Sequence, residues 1–313
     1  MLVFSRPTWA RRASVYPRLV TDAPKSSKSG TEVKLTHPDK VLYPEVHVTK
    51  QKLFDYYARV AKWMLPHVAN RPLNLRRCPN GWRRGFFQQH AQGKLPKGLK
   101  QIDVEDASGE SNRLILDSAI GLQQLAQMNV LEIHTWGAHA DDVDKPDLLV
   151  FDLDPDPSVK WAQVIDAART IRQRLGDSKI EAYVKVTGGK GLHVCVAIER
   201  TITWERAREF SGDLCVKIVE DAPDKFVATM SKAKRKGKIF LDFFRNGKGA
   251  TFVAPYSTRA RAGAPVAMPV AWDELTEDLK PNQFSLDSAI ARLEKIGDVW
   301  APMLAAPQRV PAK

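Results

Sequence analysis

The sequence predicts an α+β fold of mostly antiparallel sheets flanked by helices. Three observations carry that expectation. Predicted strands follow one another through short turns as often as through helices, which argues against a doubly wound parallel sheet. Several segments place apolar residues at helical spacing, whereas others alternate like strands. Finally, the chain shows no internal repeat and no linker beyond residue 33. Residues 31–300 therefore read as a single unit of one or two lobes, followed by a C-terminal tail at 301–313.

Residues 1–30 lack periodicity. Arg6, Arg11, Arg12 and Arg18 precede any acid, as in a transit peptide. The Pro, Ser and Gly of residues 23–30 favour a flexible tail or linker instead. Thr49 is a suitable cap for a helix carrying Leu53, Tyr56, Tyr57, Val60 and Met64, with Pro66 marking its end. Arg76 to Gly85 reads as a loop leading to Phe86 and Phe87. A second helix fits Ser118 to Met128, and a strand fits Val130 to Trp136. Leu148 to Asp154 is a buried strand, and Trp161, Val164, Ile165, Ala168 and Ile171 are the inner stripe of a third helix. Strands at 182–187 and 191–198 flank Gly188-Gly189-Lys190. Trp204, Ala207, Phe210, Leu214 and Ile218 mark a further helix. Lys238 to Phe244 and Thr251 to Ala254 read as strands, and a last helix spans Leu286 to Ile296.

Composition narrows the function classes. The 313 residues are 43% hydrophobic and 27% charged, ordinary for a globular protein. No apolar run is long enough for a transmembrane helix. Cys78, Cys195 and Cys215 form no CxxC pair, which argues against a disulfide frame or a zinc site and fits a reducing cytoplasm. The net charge of +12 points to a polyanionic partner.

The strongest chemical signal is Leu148-Leu149-Val150-Phe151-Asp152-Leu153-Asp154-Pro155. On a strand, residues i and i+2 share a side, so Asp152 and Asp154 project together. Two close carboxylates call for a cation, and oxygen ligands suit Mg²⁺ or Mn²⁺. Asp242 lies within an apolar strand where Phe240, Asp242 and Phe244 share a face. There it needs a metal or a pairing cation such as Lys238 or Arg245. Three Asp on two strands match the minimum of a two-metal phosphoryl-transfer site.

A glycine-rich turn, Thr187-Gly188-Gly189-Lys190-Gly191-Leu192-His193, lacks P-loop spacing yet brings a hydroxyl, a cation and an imidazole to a possible anion site. From Ser231 to Arg261 there are nine Lys or Arg and one acid, Asp242. Phe86 and Phe87 follow Arg76, Arg77, Arg83 and Arg84, a pattern that fits base stacking beside phosphate contacts.

Taken together, these motifs resemble the polymerase domain of bacterial ATP-dependent DNA ligase D, in the archaeo-eukaryotic primase superfamily. The resemblance runs from Val33 to Ile296. It rests on Thr36-His37-Pro38-Asp39-Lys40-Val41-Leu42-Tyr43-Pro44, Glu132-Ile133-His134-Thr135-Trp136 and Asp152-Leu153-Asp154-Pro155. It continues through Gly188-Gly189-Lys190-Gly191-Leu192-His193, Lys238-Ile239-Phe240-Leu241-Asp242, Arg245-Asn246 and Tyr256-Ser257-Thr258-Arg259-Ala260-Arg261.

The resemblance implies a primase-polymerase catalytic domain over residues 31–300. It implies template-directed nucleotidyl transfer at DNA double-strand breaks in bacterial non-homologous end joining, with ribonucleotides accepted and two Mn²⁺ or Mg²⁺ ions. Asp152, Asp154 and Asp242 match the metal-binding triad. Thr187, Lys190 and His193 match residues around the triphosphate, and Lys40 and Lys50 those that hold a 5′-phosphate. Phe86 and Phe87 match a template-stacking pair. Arg77, His134, Arg235 and Arg259 match polar positions near nucleotide or primer: His134 and Arg259 on the nucleotide side, Arg77 and Arg235 on the DNA side. Thr187 stands where the family often has Ser. The implied partners are gapped or broken DNA, nucleoside triphosphates, a Ku-like end-binding protein and a ligase module. The implied setting is the bacterial cytoplasm, at the nucleoid. A de novo primase, a two-metal nuclease and a non-catalytic end-binding module are the rival readings.

Overall fold

Antiparallel pairing builds most of this chain, and a computed structural model describes it over residues 33–106 and 109–311. The tail or linker expected over residues 1–30 lies outside the described residues. The first strands, β1 (Val41–Tyr43) and β2 (Val48–Thr49), form a small antiparallel pair. Thr49 then caps α1 (Lys50–Val68), its hydroxyl accepting the Lys52 N–H at 3.2 Å. The expected stripe of Leu53, Tyr56, Tyr57, Val60 and Met64 is buried. Pro66 sits inside the last turn, not beyond it. Its ring removes one hydrogen bond, and the helix still closes with Ala69 N–H on Leu65 O at 2.8 Å.

One six-stranded sheet follows. It contains β3 (Leu73–Arg77), β4 (Phe86–Gln88), β5 (Leu99–Asp106), β6 (Gly109–Leu116), β7 (Val130–Thr135) and, from far along the chain, β13 (Phe252–Val253). The order is β13-β7-β3-β6-β5, with β4 paired to β3. Helix α2 (Ala119–Gln127), capped by Ser118, joins α1 in the same apolar core as Leu73, Leu75 and Ile133. The loop expected from Arg76 to Gly85 is present from residue 78 on, with Arg76 and Arg77 instead ending β3, whereas β5 and β6 were not expected. β5 carries Lys100, Gln101, Asp103, Glu105 and Asp106 and β6 starts on Gly109 and Glu110, so cross-strand pairing rather than intrinsic preference makes these two strands.

The second six-stranded sheet contains β8 (Leu148–Pro155), β9 (Tyr183–Val186), β10 (Leu192–Ala197), β11 (Phe226–Val227), β12 (Ile239–Asp242) and β14 (Met268–Val270). Its order is β11-β12-β8-β10-β9-β14, and only the β11–β12 pair is parallel. Helices α3 (Trp161–Asp177) and α4 (Trp204–Asp221) bury Val164, Ile171, Leu214 and Ile218 with Leu149, Phe151 and Leu153. The alternate positions of β8 and β10 are left to the other face. Helix α5 (Leu286–Ile296) starts at its Ser285 cap and meets α1 through Lys52–Asp287 at 2.6 Å and Arg59–Glu294 at 2.8 Å.

Two expectations need correction. β12 stops at Asp242, because the Asp242 carboxylate accepts the Phe244 N–H at 3.0 Å and turns residues 244–246 into a 3₁₀ turn. Phe244 therefore leaves the strand, yet its ring still lies on the Phe240 and Asp242 side, 6.4 Å from the Phe240 ring, and stacks on Phe243 at 4.4 Å. Residues 301–311 are also docked rather than a tail. Helix α6 (Ala301–Ala305) and the Ile198–Gln308 bridge lay this segment against the second sheet. Trp300 and Met303 cover Val150, Cys195, Ala197 and Phe252, apolar positions that would otherwise face water.

Trp300 is fully buried and donates from its indole to Val184 O at 3.1 Å. Trp300→Ala is expected to cost about 3–5 kcal/mol of stability, read as a lower urea midpoint. An unchanged midpoint would show that the segment is not part of the core.

Candidate active site

β8 lies between β12 and β10, and the register of these ladders places the polar side chains. Asp242 on β12 and His193 on β10 both stand opposite Asp152, and Lys185 on β9 stands opposite His193. Side chains alternate along strands. Lys185, His193, Asp152 and Asp242 therefore form one row across four strands, with Asp154 on the same face of β8.

Directly opposed carboxylates repel, and cations gather around them. Arg245 Nε lies 3.1 Å from Asp242 Oδ2 and 3.5 Å from Asp152 Oδ2. His193 Nε2 lies 3.4 Å from Asp152 Oδ1. Lys190 Nζ is 2.9 Å from Asp154 Oδ1, and Arg235 Nη1 is 3.6 Å from Asp154 Oδ2. Burial alone would raise the Asp152 carboxyl, but His193 and Arg245 hold it at about 2. Asp242 shifts the other way: burial raises it, and Arg245 only partly opposes that. Burial pulls the His193 imidazole down to about 4 and the Lys185 ammonium to about 8.

This row opens into a cleft of about 430 Å³. Asp152, Asp154, Asp242, Thr187, Lys190, His193, His134, Arg235 and Arg259 all line it, together with Arg245, Arg261, Phe240, Phe244 and Phe252. Four buried nitrogens in its wall, His193 Nδ1 and the Nε atoms of Arg235, Arg245 and Arg259, make no hydrogen bond. Arg245 Nε and Arg259 Nε are still ion-paired with Asp242 and Glu132, which leaves His193 Nδ1 and Arg235 Nε as the polar atoms a ligand in the cleft would satisfy.

Gly188 has φ +68°, and a side chain at Gly191 would meet Leu153 O at 2.1 Å, so the turn tolerates only glycine there. The Gly188 N–H donates to Pro281 O at 3.1 Å. The turn therefore offers the cleft its side chains, Thr187 and Lys190, rather than that amide. The Thr187 hydroxyl donates to Gly191 O at 3.0 Å.

Glu132 was not singled out from the sequence, although the signal that marked Asp242, a lone acid inside an apolar strand, applies to it too. Its carboxylate accepts the Ala260 N–H at 2.9 Å and lies 2.8 Å from His134 Nε2 and 3.2 Å from Arg259 Nε. Arg259 in turn donates to Thr187 O. Burial would raise the Glu132 carboxyl, and His134 with Arg259 brings it down to about 2.

The remaining candidates stand outside the cleft lining. Phe86 and Phe87 are 51% and 52% exposed on β4. Arg77 and Arg76 lie over them, each 5.7 Å from a ring centroid, and the edge of Phe87 meets His134 at 5.7 Å. Arg77 is also engaged internally, donating to Met128 O at 3.2 Å and Gln88 Oε1 at 3.1 Å. Lys50 begins α1 almost fully buried, and its ammonium donates to Thr36 O at 3.0 Å. Burial and then the nearby Lys40 lower its pKa. Lys40 lines an open hollow with His37 and Asp39.

Among the described residues, no three His, Cys, Asp or Glu side chains converge as a metal-binding group. The donor chemistry still suits a hard divalent cation. The Asp152 and Asp242 carboxylates oppose each other in register, and Arg245, which balances them, lies close without donating a hydrogen bond from Nε.

A carboxylate row on the open face of an antiparallel sheet thus lies beside a basic cleft, with an exposed aromatic pair on the neighbouring sheet. The family model described as "LigD, primase-polymerase domain" matches residues 49–300. The chain belongs to this family, the DNA-directed nucleotidyltransferase domain of non-homologous end-joining repair proteins. It is 35% identical over 283 residues to "Multifunctional non-homologous end joining protein LigD" of Pseudomonas aeruginosa, covering 90% of this chain and 34% of that protein. It is 26% identical to "Bifunctional non-homologous end joining protein LigD" of Bacillus subtilis, covering 90% of this chain and 45% of that protein. The chain thus spans between a third and a half of the length of these curated relatives. The solved "Polymerase Domain from Mycobacterium tuberculosis Ligase D in complex with DNA" superposes with a TM-score of 0.83 at 34% identity, covering 89% of this chain and all of that one. Among the described residues, no helix is long and apolar enough to cross a membrane.

Because Glu132 has a folded pKa of about 2, below its ordinary 4.5, its contribution is present above pH 4.5 and is lost as pH falls towards 2. That contribution is on the order of 3 kcal/mol. Urea unfolding of Glu132→Gln across this window is expected to show a shallower acid limb than the parent. Equal slopes would contradict the assignment.

Proposed function

We propose that this chain extends gapped or broken DNA ends by template-directed nucleotidyl transfer during end joining. It takes nucleoside triphosphates and ends carrying a 5′-phosphate. The observation that carries this reading is one cleft holding three carboxylates, the Thr187–Lys190–His193 turn, the His134 imidazole and four further cationic side chains: Arg235, Arg245, Arg259 and Arg261. A nuclease would use the acids but has no need of a triphosphate turn. An end-binding module would use the cations but has no need of three Asp.

In this reading, a primer 3′-oxygen forms a bond to the α-phosphorus as the bond to pyrophosphate breaks, and the hydroxyl proton leaves to water. Asp152, Asp154 and Asp242 are the residues that would hold two Mn²⁺ or Mg²⁺ ions. Those ions supply Lewis-acid activation of the attacking oxygen and charge neutralisation of the leaving group. Lys190, Arg259 and Arg261 surround the triphosphate, and Thr187 and His193 orient it. Arg235 and Arg245 neutralise the carboxylates until substrate arrives. Glu132 holds His134 and Arg259 in place, which costs no reorganisation during the reaction. Phe86 and Phe87 stack on template bases, with Arg77 bracing their strand. Lys40 and Lys50, at the positive end of α1, hold the 5′-phosphate. A Ku-like protein and a ligase module are the partners this role calls for.

The test is a labelled primer on a gapped duplex with Mn²⁺, with and without nucleotides. Extension only with nucleotides, ending at the gap, is expected, and shortening without nucleotides would assign a nuclease instead. Extension on an unprimed template would assign a primase. Asp152→Asn is expected to slow extension at least about a hundredfold while end binding persists. Lys40→Ala is expected to weaken binding to 5′-phosphorylated gaps about tenfold or more and to leave 5′-hydroxyl gaps unaffected. Equal affinity of the parent protein for both ends would defeat the Lys40 and Lys50 assignment.

A further inference from the structure

We propose that Tyr43 is a positioning residue that couples the Lys40–Lys50 anion site to the nucleotide cleft through Arg259. This rests on the reading of those two sites given above. Tyr43 is wholly buried, and its hydroxyl donates to Arg259 O at 2.8 Å, across 216 residues of sequence. Arg259 lines the cleft, donates to Thr187 O and pairs with Glu132. One hydrogen bond therefore separates Tyr43 from the residue that anchors the triphosphate turn.

The other end of the link is equally short. Tyr43 closes β1, which begins directly after Lys40. The Lys40 carbonyl accepts the Lys50 N–H at 2.8 Å, and Pro38 O accepts the Gln51 N–H at 2.9 Å. The Lys50 ammonium donates to Thr36 O at 3.0 Å. The loop at 36–40 is thus tied to the start of α1. An anion drawn between Lys40 and Lys50 acts on one stiff piece that ends in Tyr43.

The segment that Tyr43 holds needs support. Tyr256 has φ +65°, a left-handed conformation that non-glycine residues avoid. Three tyrosine hydroxyls hold the stretch: Tyr56 donates to Tyr256 O at 2.6 Å, Tyr57 pairs with Thr258 Oγ1 at 3.2 Å, and Tyr43 reaches Arg259. Of the three, only Tyr43 lies on the strand that leads from Lys40. Binding of a 5′-phosphate stiffens this strand, keeps Arg259 aimed into the cleft and lowers the nucleotide KM. Coupling of binding equilibria is reciprocal, so bound nucleotide tightens the grip on 5′-phosphorylated ends by the factor by which the phosphate tightens nucleotide binding.

The experiment measures nucleotide KM and kcat on gaps with a 5′-phosphate or a 5′-hydroxyl, for the parent, Tyr43→Phe and Tyr56→Phe. End affinity is measured with and without nucleotide. In the parent, the 5′-phosphate is expected to lower KM about fivefold or more. Tyr43→Phe keeps the ring and folds. It is expected to lose that factor, with kcat and nucleotide-free affinity for 5′-phosphorylated ends unchanged. Tyr56→Phe removes a hydrogen bond of the same kind and is expected to keep the factor. Retention of the factor in Tyr43→Phe would overturn the proposal, as would its loss in both variants. A parent that prefers 5′-phosphorylated ends without any change in KM would overturn the coupling and leave the proposed function standing. A parent indifferent to the phosphate would overturn both the coupling and the anion site.

Discussion

Asp152 stands opposite Asp242 on adjacent strands of one sheet, and much of the molecule follows from making that tolerable. Two carboxylates at facing positions destabilise a ladder unless positive charge is brought between them. Arg245 is placed there by the 3₁₀ turn that Asp242 itself nucleates. His193 occupies the facing position on the other side of Asp152, and Lys185 lies beyond it. The same residues that balance the charge form the wall of the cleft. Its stored electrostatic tension is available to any ligand that balances the carboxylates better than a guanidinium does.

The second constraint is that two sheets must meet at this cleft. The carboxylate row belongs to one, and Glu132, His134 and the Phe86–Phe87 pair belong to the other. Buried polar contacts hold the junction. Lys185, fully buried between the rings of Phe252 and Trp300, donates to Val253 O at the edge of the other sheet. Glu132 binds Arg259, and Arg259 binds the turn at Thr187. A buried charge left without its partner is costly, so each of these contacts fixes the relative placement of nucleotide pocket and aromatic pair.

Local features were legible in the sequence. The Thr49 cap, the apolar stripes of the long helices, the Asp-x-Asp of β8 and the glycine turn depend on neighbours a few residues away. Long-range pairing was not. Nothing local reveals that Asp242 registers with Asp152 or that Glu132 reaches Arg259 across the chain. Strand β5 and the start of β6 carry too many charged and polar residues to alternate visibly, and pairing with each other makes them strands. The docking of Trp300 was hidden for a similar reason: the face it covers mixes the carboxylates of β8 with apolar residues. Motif resemblance supplied what local pattern could not, namely which polar residues share one cleft: nine of the ten placed around metal, nucleotide or primer line it, and Arg77, engaged by Met128 O and Gln88, does not. The aromatic pair and the lysines of the anion site stand apart from that cleft.

The claim on which the account turns is that Asp152 and Asp242 act as one cation-binding pair. Its most direct measurement is Mn²⁺ affinity by electron paramagnetic resonance, without nucleotide or DNA, for the parent and for Asp242→Asn. The substitution is expected to weaken Mn²⁺ binding at least about tenfold while the fold persists, because one charged oxygen donor is lost from the pair. Equal Mn²⁺ affinity in both proteins would contradict it.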